Sequence, residues 1–576
     1  MAFDITTQSN INTWLNGNYD AESKAEIKRL QDAGEEEALT NAFYKDLEFG
    51  TGGLRGIMGV GSNRVNRYTL GAATQGFANY LNKTFDGDIR VVLAHDCRNN
   101  STLFANLVAD VFSANGITVF FFDGMRPTPE LSFAVRKLGA KGGVMLTASH
   151  NPKEYNGYKA YGPDGGQLVS PDDTGVMSEV RNIKSIDEIK FERNADLVKS
   201  IGAGIDEDYY NELVKLSLNP EAIAKVADMP IVFSPIHGTG AVSVPPILKR
   251  FGFTNVITVE EQMVEDGNFP TVVYPNPEEQ EALTMALNKA REVNADLVMA
   301  TDPDADRVGI AIRNGEGELV LLNGNQTACL LVHYVLSGHQ QKKDLRKSDY
   351  VVKTVVTSYM IDHIAKSFGV ECFNTLTGFK FIGQVMTKLE GDRRFLVGGE
   401  ESYGYLAGEH ARDKDAVISC ALIAEMAAYH KSQGRSLWDV LIDLYEEYGF
   451  YLEKLIAVKK EGKAGAEEIQ AMMSRFRENP PSALGGGEIV MIKDYQESVS
   501  TSFPSGKTEL IDLPSSNVLQ FFTEDGTIVS ARPSGTEPKI KFYCSVNAGL
   551  SEAADFERTQ KALEAKIDRV LADLGV

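Results

Sequence analysis

Four short stretches of this 576-residue chain combine side chains that do chemistry. The densest is Asp302-Pro303-Asp304-Ala305-Asp306-Arg307, which follows the apolar run ADLVMA. Carboxylates at i, i+2 and i+4 of an extended segment project to one side. Three like charges that close repel strongly unless a cation sits among them. Magnesium suits all-oxygen ligation and commonly completes its shell with a substrate phosphate oxygen. Arg307 adds a fixed positive group at the same place. The alternative is a solvated acidic turn.

The second stretch is Thr147-Ala148-Ser149-His150-Asn151-Pro152, after the run GGVML. Pro152 discourages further regular structure, so Ser149 and His150 sit in a tight loop. A serine beside an imidazole suits a nucleophile or phosphoryl carrier; the alternative is an ordinary Ser-Asn capping turn. The third stretch, Gly399-Glu400-Glu401-Ser402-Tyr403-Gly404, pairs carboxylates with a hydroxyl, which suits a sugar's vicinal hydroxyls or a plain charged turn. The fourth, Arg532-Pro533-Ser534-Gly535-Thr536, offers an arginine fork and two hydroxyls that suit a phosphate cradle or a hairpin turn. Arg55, in Gly52-Gly53-Leu54-Arg55-Gly56, and Lys414, in Arg412-Asp413-Lys414-Asp415, are basic residues near glycine-rich or helix-start positions.

These loops need elements to hold them. Short β-branched runs alternate with helical patterns through most of the chain, which predicts α/β layers with mostly parallel strands. The runs fall into three sets of three. RVVLAHDCR (90–98), VFFFDG (119–124) and GGVMLTASHNP (142–152) come first, then PIVFSPIHGTG (230–240), NVITVEE (255–261) and ADLVMATDPDADR (295–307). YVVKTVVTS (350–358), VECFNTLTGFK (370–380) and RFLVGGEESYG (394–404) make the third. The last run of each set empties into one of the reactive loops, and ligands of α/β sheets bind beyond the carboxyl ends of strands. The final ~120 residues read instead as antiparallel strands plus an amphipathic helix carrying Phe556, Leu563, Ile567, Val570 and Leu574. Segments 171–230 and 455–490 read as helical packing without chemistry. Domains are expected at 1–205, 206–322, 323–453 and 454–576.

A formal charge of −22, from 80 acidic and 58 basic residues, argues against nucleic acid as partner. An acidic protein that binds a small anion must gather its cations in one cleft. Five scattered cysteines without a CxxC pair read as reduced thiols. The start MAFDITTQSN has no signal-peptide pattern, and the apolar run Ala416–Tyr429 contains Glu425 and reads as a buried helix, so a cytoplasmic protein with no membrane partner is expected.

Taken together, TASHNP, DPDADR, GEESYG and RPSGTEP, in this order and one domain apart, resemble the α-D-phosphohexomutase superfamily, which includes phosphoglucomutases and phosphomannomutases. The resemblance covers essentially the whole chain. It implies four domains around a central cleft, three related α/β domains with mixed, mostly parallel sheets and a C-terminal α+β domain. It implies that Ser149 carries a phosphoryl group and that Asp302, Asp304 and Asp306 hold Mg²⁺ with a phosphoserine oxygen. Glu400 and Ser402 would contact the sugar, and Arg532, Ser534, Gly535 and Thr536 the phosphate that is not transferred. Arg55, His150, Arg307 and Lys414 would surround the reacting group, with Lys414 favoured for proton transfer.

The implied reaction interconverts glucose 1-phosphate and glucose 6-phosphate through glucose 1,6-bisphosphate, which also serves as activator, in a monomer or weak homodimer. GEESYG resembles the glucomutase form of the sugar loop, while TASHNPKEYNGYKAYGPDGGQ (147–167) resembles a phosphoglucomutase-2-like branch that also holds phosphopentomutases. Mannose or pentose phosphate therefore remain alternatives. So do a non-catalytic phosphosugar sensor and a phosphatase using Asp302–Asp306; against the phosphatase, no Thr or Val follows the second aspartate, and Pro303 stiffens the loop.

Overall fold

The strand Gly142–Leu146 is buried at every position, as a continuous apolar run covered on both faces must be. Its glycines let neighbours press in: a Cβ on Gly143 would meet Val135 Cγ2 at 2.7 Å. In the computed structural model, which describes residues 3–48, 53–460, 462–534 and 539–576, this strand lies within a six-stranded mixed sheet. It pairs in parallel with Arg90–His95, which pairs in parallel with Thr118–Phe122. The helices Ser101–Ala114 and Thr128–Lys137 pack on this sheet. The core under Ser101–Ala114 gathers Val91, Leu93, Phe104, Val108, Phe112 and Val144.

A second sheet repeats the plan. Leu297–Thr301, also wholly buried, runs parallel to Ile231–Ser234, which runs parallel to Val256–Thr258. A third copy supplies the parallel pair Asp349–Thr354 and Glu371–Thr375, and the strand Arg394–Gly399. Each reactive loop is then closed by an antiparallel return strand: Tyr155–Tyr161, Val308–Arg313 and Tyr405–Ala407. The loops are thus hairpin-like turns, pinned at both ends by a sheet, rather than free strand-to-helix connections.

The chain divides into two compact units. One comprises Met1–Gly324 and Phe379–Gly434, the other Asn325–Gly378 and Arg435–Val576. The second unit contains a mostly antiparallel C-terminal sheet ordered Phe450–Lys459, Lys539–Ala548, Ile528–Pro533, Leu519–Thr523, Gly487–Asp494, Val499–Ser502 and Lys507–Leu510. Lys539–Ala548 alternates buried and partly exposed residues, the mark of a sheet with one covered face. The last helix, Phe556–Leu574, buries Leu563, Ile567, Val570 and Leu574 and stops at Gly575 in the left-handed conformation. Phe556 is half-buried.

Three local expectations change. Glu260–Met263 is a short helix following the brief strand Val256–Thr258. Segment 171–230 contains the edge strand Val198–Ile201, and 455–459 completes the ten-residue strand Phe450–Lys459. In both, short runs mixed with Lys, Ser or Glu carry little apolar periodicity, and pairing with a neighbour decides them. Ala416–Lys431 is a buried helix as read, and among the described residues no helix is long and apolar enough to cross a membrane.

Candidate active site

Three loops from three strand ends meet within the first unit. At the tip of each, a residue other than glycine adopts a positive φ: Ser149 at 52°, Ala305 at 48° and Tyr403 at 68°. Such backbone costs a β-substituted residue roughly 1–3 kcal/mol and persists where the surroundings enforce it. The hydroxyl of Ser149 donates to Asp302 Oδ2 at 2.9 Å and lies 3.2 Å from His150 Nδ1. Asp302 Oδ1 accepts from the backbone N–H groups of Asp306 and Arg307, both at 3.0 Å, which folds the DPDADR loop back on itself.

Asp302, Asp304 and Asp306 are buried and offer oxygens that all lie within 4.8 Å of one another. Oδ1 of Asp304 and Oδ1 of Asp306 are buried without a hydrogen-bond partner. Burial first, then the charges of Asp304 and Asp306, push the Asp302 carboxyl well above its usual range. Burial works against Asp306 too, but Lys159, Lys414 and Arg307 hold it low. A hard divalent cation satisfies such a set: an all-oxygen donor group, orphaned lone pairs and charge too crowded to persist unpaired.

Cations ring the triad. Lys159 Nζ lies 2.6 Å from Asp304 Oδ2 and 2.9 Å from Asp306 Oδ2, and Lys414 Nζ 3.2 Å from Asp306 Oδ2. Arg307 Nη1 is 2.5 Å from Glu278 Oε1. Arg55, on the exposed side, donates to Asn151 Oδ1 at 2.8 Å. Burial disfavours the charge on Lys414, yet Asp306, Asp413 and Glu400 overcome it and hold the ammonium above its ordinary range. His150 is pushed well below its ordinary value by burial and by the positive charges of Arg307 and Arg55, so its imidazole is neutral.

Asp415 fixes the loop carrying Lys414. Its Oδ1 caps the helix Ala416–Lys431 through the N–H groups of Val417 and Ile418, and its Oδ2 accepts from Tyr209 Oη at 2.8 Å and pairs with His410 Nε2 at 2.7 Å. The GEESYG loop reaches the same place: Tyr403 O accepts from Val308 N at 3.0 Å, just past the triad. Glu400 is buried and close enough to act on Lys414 and Arg307, and Ser402 is half-buried on that loop.

Ser149, His150, Arg55, Asp302, Asp304, Asp306, Arg307, Glu400, Ser402 and Lys414 thus belong to one unit. Arg532 and Ser534 belong to the other, at the end of strand Ile528–Pro533, where Ser534 N donates to Lys539 O at 2.7 Å. Gly535 and Thr536 lie outside the described residues, as does Gly52 of the loop before Arg55. Two residues escaped the sequence reading. Lys159 sits in the return strand Tyr155–Tyr161. Thr128 donates from N to Asp304 O at 2.9 Å and from Oγ1 to Asp304 Oδ2 at 2.7 Å. The signal for Lys159 was its place on a run bearing Tyr158, Ala160 and Tyr161, where a cation needs a buried partner.

The descriptions "Phosphoglucomutase/phosphomannomutase, alpha/beta/alpha domain I", "domain II" and "domain III" match residues 46–187, 207–315 and 323–448. A phosphoglucomutase of Staphylococcus haemolyticus is 36% identical over 506 residues, 88% of this chain and 91% of that protein. One of Staphylococcus aureus is 37% identical over 529 residues, 91% and 93% of the two chains. The crystal structure of parafusin, a phosphoglucomutase from Paramecium in its open form, superposes with a TM-score of 0.68 at 19% identity over 92% of this chain and 95% of that one. Layered α/β domains that bring a serine, three carboxylates and several cations together are the build of a phosphoryl-transfer enzyme. The chain belongs to the phosphoglucomutase/phosphomannomutase family and is a phosphosugar mutase.

Proposed function

We propose that this enzyme interconverts α-D-glucose 1-phosphate and glucose 6-phosphate with Ser149 as phosphoryl carrier. The observation that carries the reading is the Ser149 hydroxyl at 2.9 Å from an aspartate of a buried triad, in a chain 36% identical to a phosphoglucomutase over 88% of its length. Phospho-Ser149 transfers its phosphoryl group to the free hydroxyl of the bound sugar phosphate. The bond from phosphorus to Ser149 Oγ breaks, the bond to the sugar oxygen forms, and the sugar hydroxyl's proton replaces the one that Lys414 gives to Ser149 Oγ. The product, glucose 1,6-bisphosphate, turns over and returns its other phosphoryl group to Ser149. The same bisphosphate, supplied from outside, serves as activator by phosphorylating Ser149.

Asp302, Asp304 and Asp306 would hold Mg²⁺ together with an oxygen of phospho-Ser149, and the bound ion would neutralise charge on the transferring group. Arg55 and Arg307 bind phosphoryl oxygens through fixed guanidinium forks. Lys414, kept as ammonium by its carboxylate neighbours, donates a proton to Ser149 Oγ as that oxygen departs. Neutral His150 orients the hydroxyl. Glu400 and Ser402 accept and donate to sugar hydroxyls, and Arg532, Ser534, Gly535 and Thr536 grip the distal phosphate. The reading keeps four domains at 1–205, 206–322, 323–453 and 454–576; the three matched ranges fall inside the first three.

Substrate choice is tested by kcat/KM for glucose 1-phosphate, mannose 1-phosphate and ribose 1-phosphate, with Mg²⁺ and trace glucose 1,6-bisphosphate. Glucose 1-phosphate is expected to lead. Preference for ribose 1-phosphate would make the enzyme a pentomutase, and no isomerisation of any sugar would favour a sensor.

A further inference from the structure

Arg98 follows the strand Arg90–His95, is 3% exposed, and directs its side chain at the backbone of the loop that holds Ser149. Nη2 donates to Ser149 O at 2.6 Å and to Asn151 O. Nη1 donates to Pro152 O at 2.8 Å and Tyr155 O at 3.2 Å. Nε lies 3.3 Å from Asp96 Oδ2, and Asp96 Oδ1 accepts from Arg98 N at 2.9 Å and from Ser101 Oγ at 2.8 Å. The guanidinium carbon stands 5.1 Å from the centre of the Phe269 ring. From the other side, Thr147 Oγ1 accepts from Ser149 N at 2.8 Å, so both peptide groups flanking Ser149 are held.

One planar fork thus takes four carbonyl oxygens between positions 149 and 155, and the first belongs to the residue with φ of 52°. A serine relaxes out of the left-handed region unless its neighbouring peptides are fixed. That relaxation would swing Oγ away from Asp302. Because both terminal nitrogens are engaged by backbone, while Nε faces Asp96 as an ion pair without a hydrogen bond, Arg98 does not reach toward the reacting group as Arg55 and Arg307 do. A lysine could supply the charge but not the fork.

We propose that Arg98, braced by Asp96, is a positioning residue that holds Ser149 in the backbone orientation from which it accepts and gives up a phosphoryl group. The proposal rests on Ser149 being the phosphoryl carrier. The test compares wild type, Arg98→Lys, Arg98→Gln and Asp96→Asn in the full chain. It follows label transfer from glucose 1,6-bisphosphate to Ser149, alongside kcat, KM and thermal unfolding.

Both Arg98 variants are expected to slow phosphorylation of Ser149 by on the order of 100-fold, with KM for the sugar phosphate nearly unchanged, because misplacing a reacting atom lowers kcat. Asp96→Asn, which keeps the shape of the side chain, is expected to slow it roughly tenfold. Wild-type labelling in Arg98→Lys would overturn the proposal, since charge alone would then suffice. Should the Arg98 variants fail to fold, wild-type labelling in Asp96→Asn would overturn it as well. A wild-type enzyme that takes no label overturns the carrier role of Ser149 and this proposal with it, whereas label on wild type and equally on every variant overturns this proposal alone.

Discussion

Lys159 and a divalent cation both offset the charge of Asp304 and Asp306, so replacing the lysine should make the fold depend on the metal. Lys159→Met keeps the length and apolar stem of the side chain and removes the ammonium 2.6 Å from Asp304 and 2.9 Å from Asp306. Breaking a buried ion pair by removing one partner costs about 3–5 kcal/mol. An unfolding entropy of about 2.1 cal/mol/K per residue makes each kcal/mol roughly 1 °C in a folding unit of several hundred residues. In EDTA, the transition of the unit containing residues 1–324 should therefore fall by about 3–5 °C. A cation at 100 times its Kd restores about 2.7 kcal/mol. In wild type the gain is smaller, because Lys159 already offsets part of the charge of those two carboxylates. The assay is calorimetry of both proteins in EDTA and across a Mg²⁺ titration. A variant as stable as wild type in EDTA, or one that Mg²⁺ stabilises no more than wild type, would refute the reasoning.

Two further perturbations test the surroundings of the site. Gly404→Ala places a Cβ 2.0 Å from Lys414 Cδ, so Lys414 must move; kcat should fall on the order of 100-fold with the melting temperature nearly kept, and unchanged kcat would show that Lys414 has no positional role. Burial first, then the neighbouring Asp206, holds the fully buried Glu130 carboxyl well above its usual range. The folded chain keeps that proton after the unfolded chain has lost it, so wild-type stability should fall as pH rises above about 4.5, the unfolded value. Glu130→Gln should remove that decline, with a gain over wild type in denaturation midpoint that is absent near pH 4 and grows toward pH 8. Identical pH dependences would contradict the assignment.

Much of the fold is legible in the residues because apolar runs of five or six, each buried on both faces, leave few alternatives to parallel strands. GGVML and ADLVMA read correctly for that reason. The return strands were harder: YNGYKAY carries a lysine and a glycine and pairs because Gly142–Leu146 and Gly53–Ile57 lie on either side of it. The carboxylate triad could be read from spacing alone, since Asp302, Asp304 and Asp306 are neighbours in the chain. Thr128, Lys159 and Arg98 could not, because their partners lie between 51 and 176 residues away and folding alone brings them together. Likewise, no local pattern marks Tyr209 as a partner of Asp415, 206 residues on.

The central claim is that Ser149 carries the phosphoryl group between the two ends of the sugar. The direct measurement incubates the purified enzyme with glucose 1,6-bisphosphate carrying labelled phosphorus and maps the label by peptide mass spectrometry. The account predicts label on Ser149, its transfer to added glucose 1-phosphate or glucose 6-phosphate, and neither in Ser149→Ala. Near-normal turnover in Ser149→Ala, or release of inorganic phosphate that survives the substitution, would contradict it.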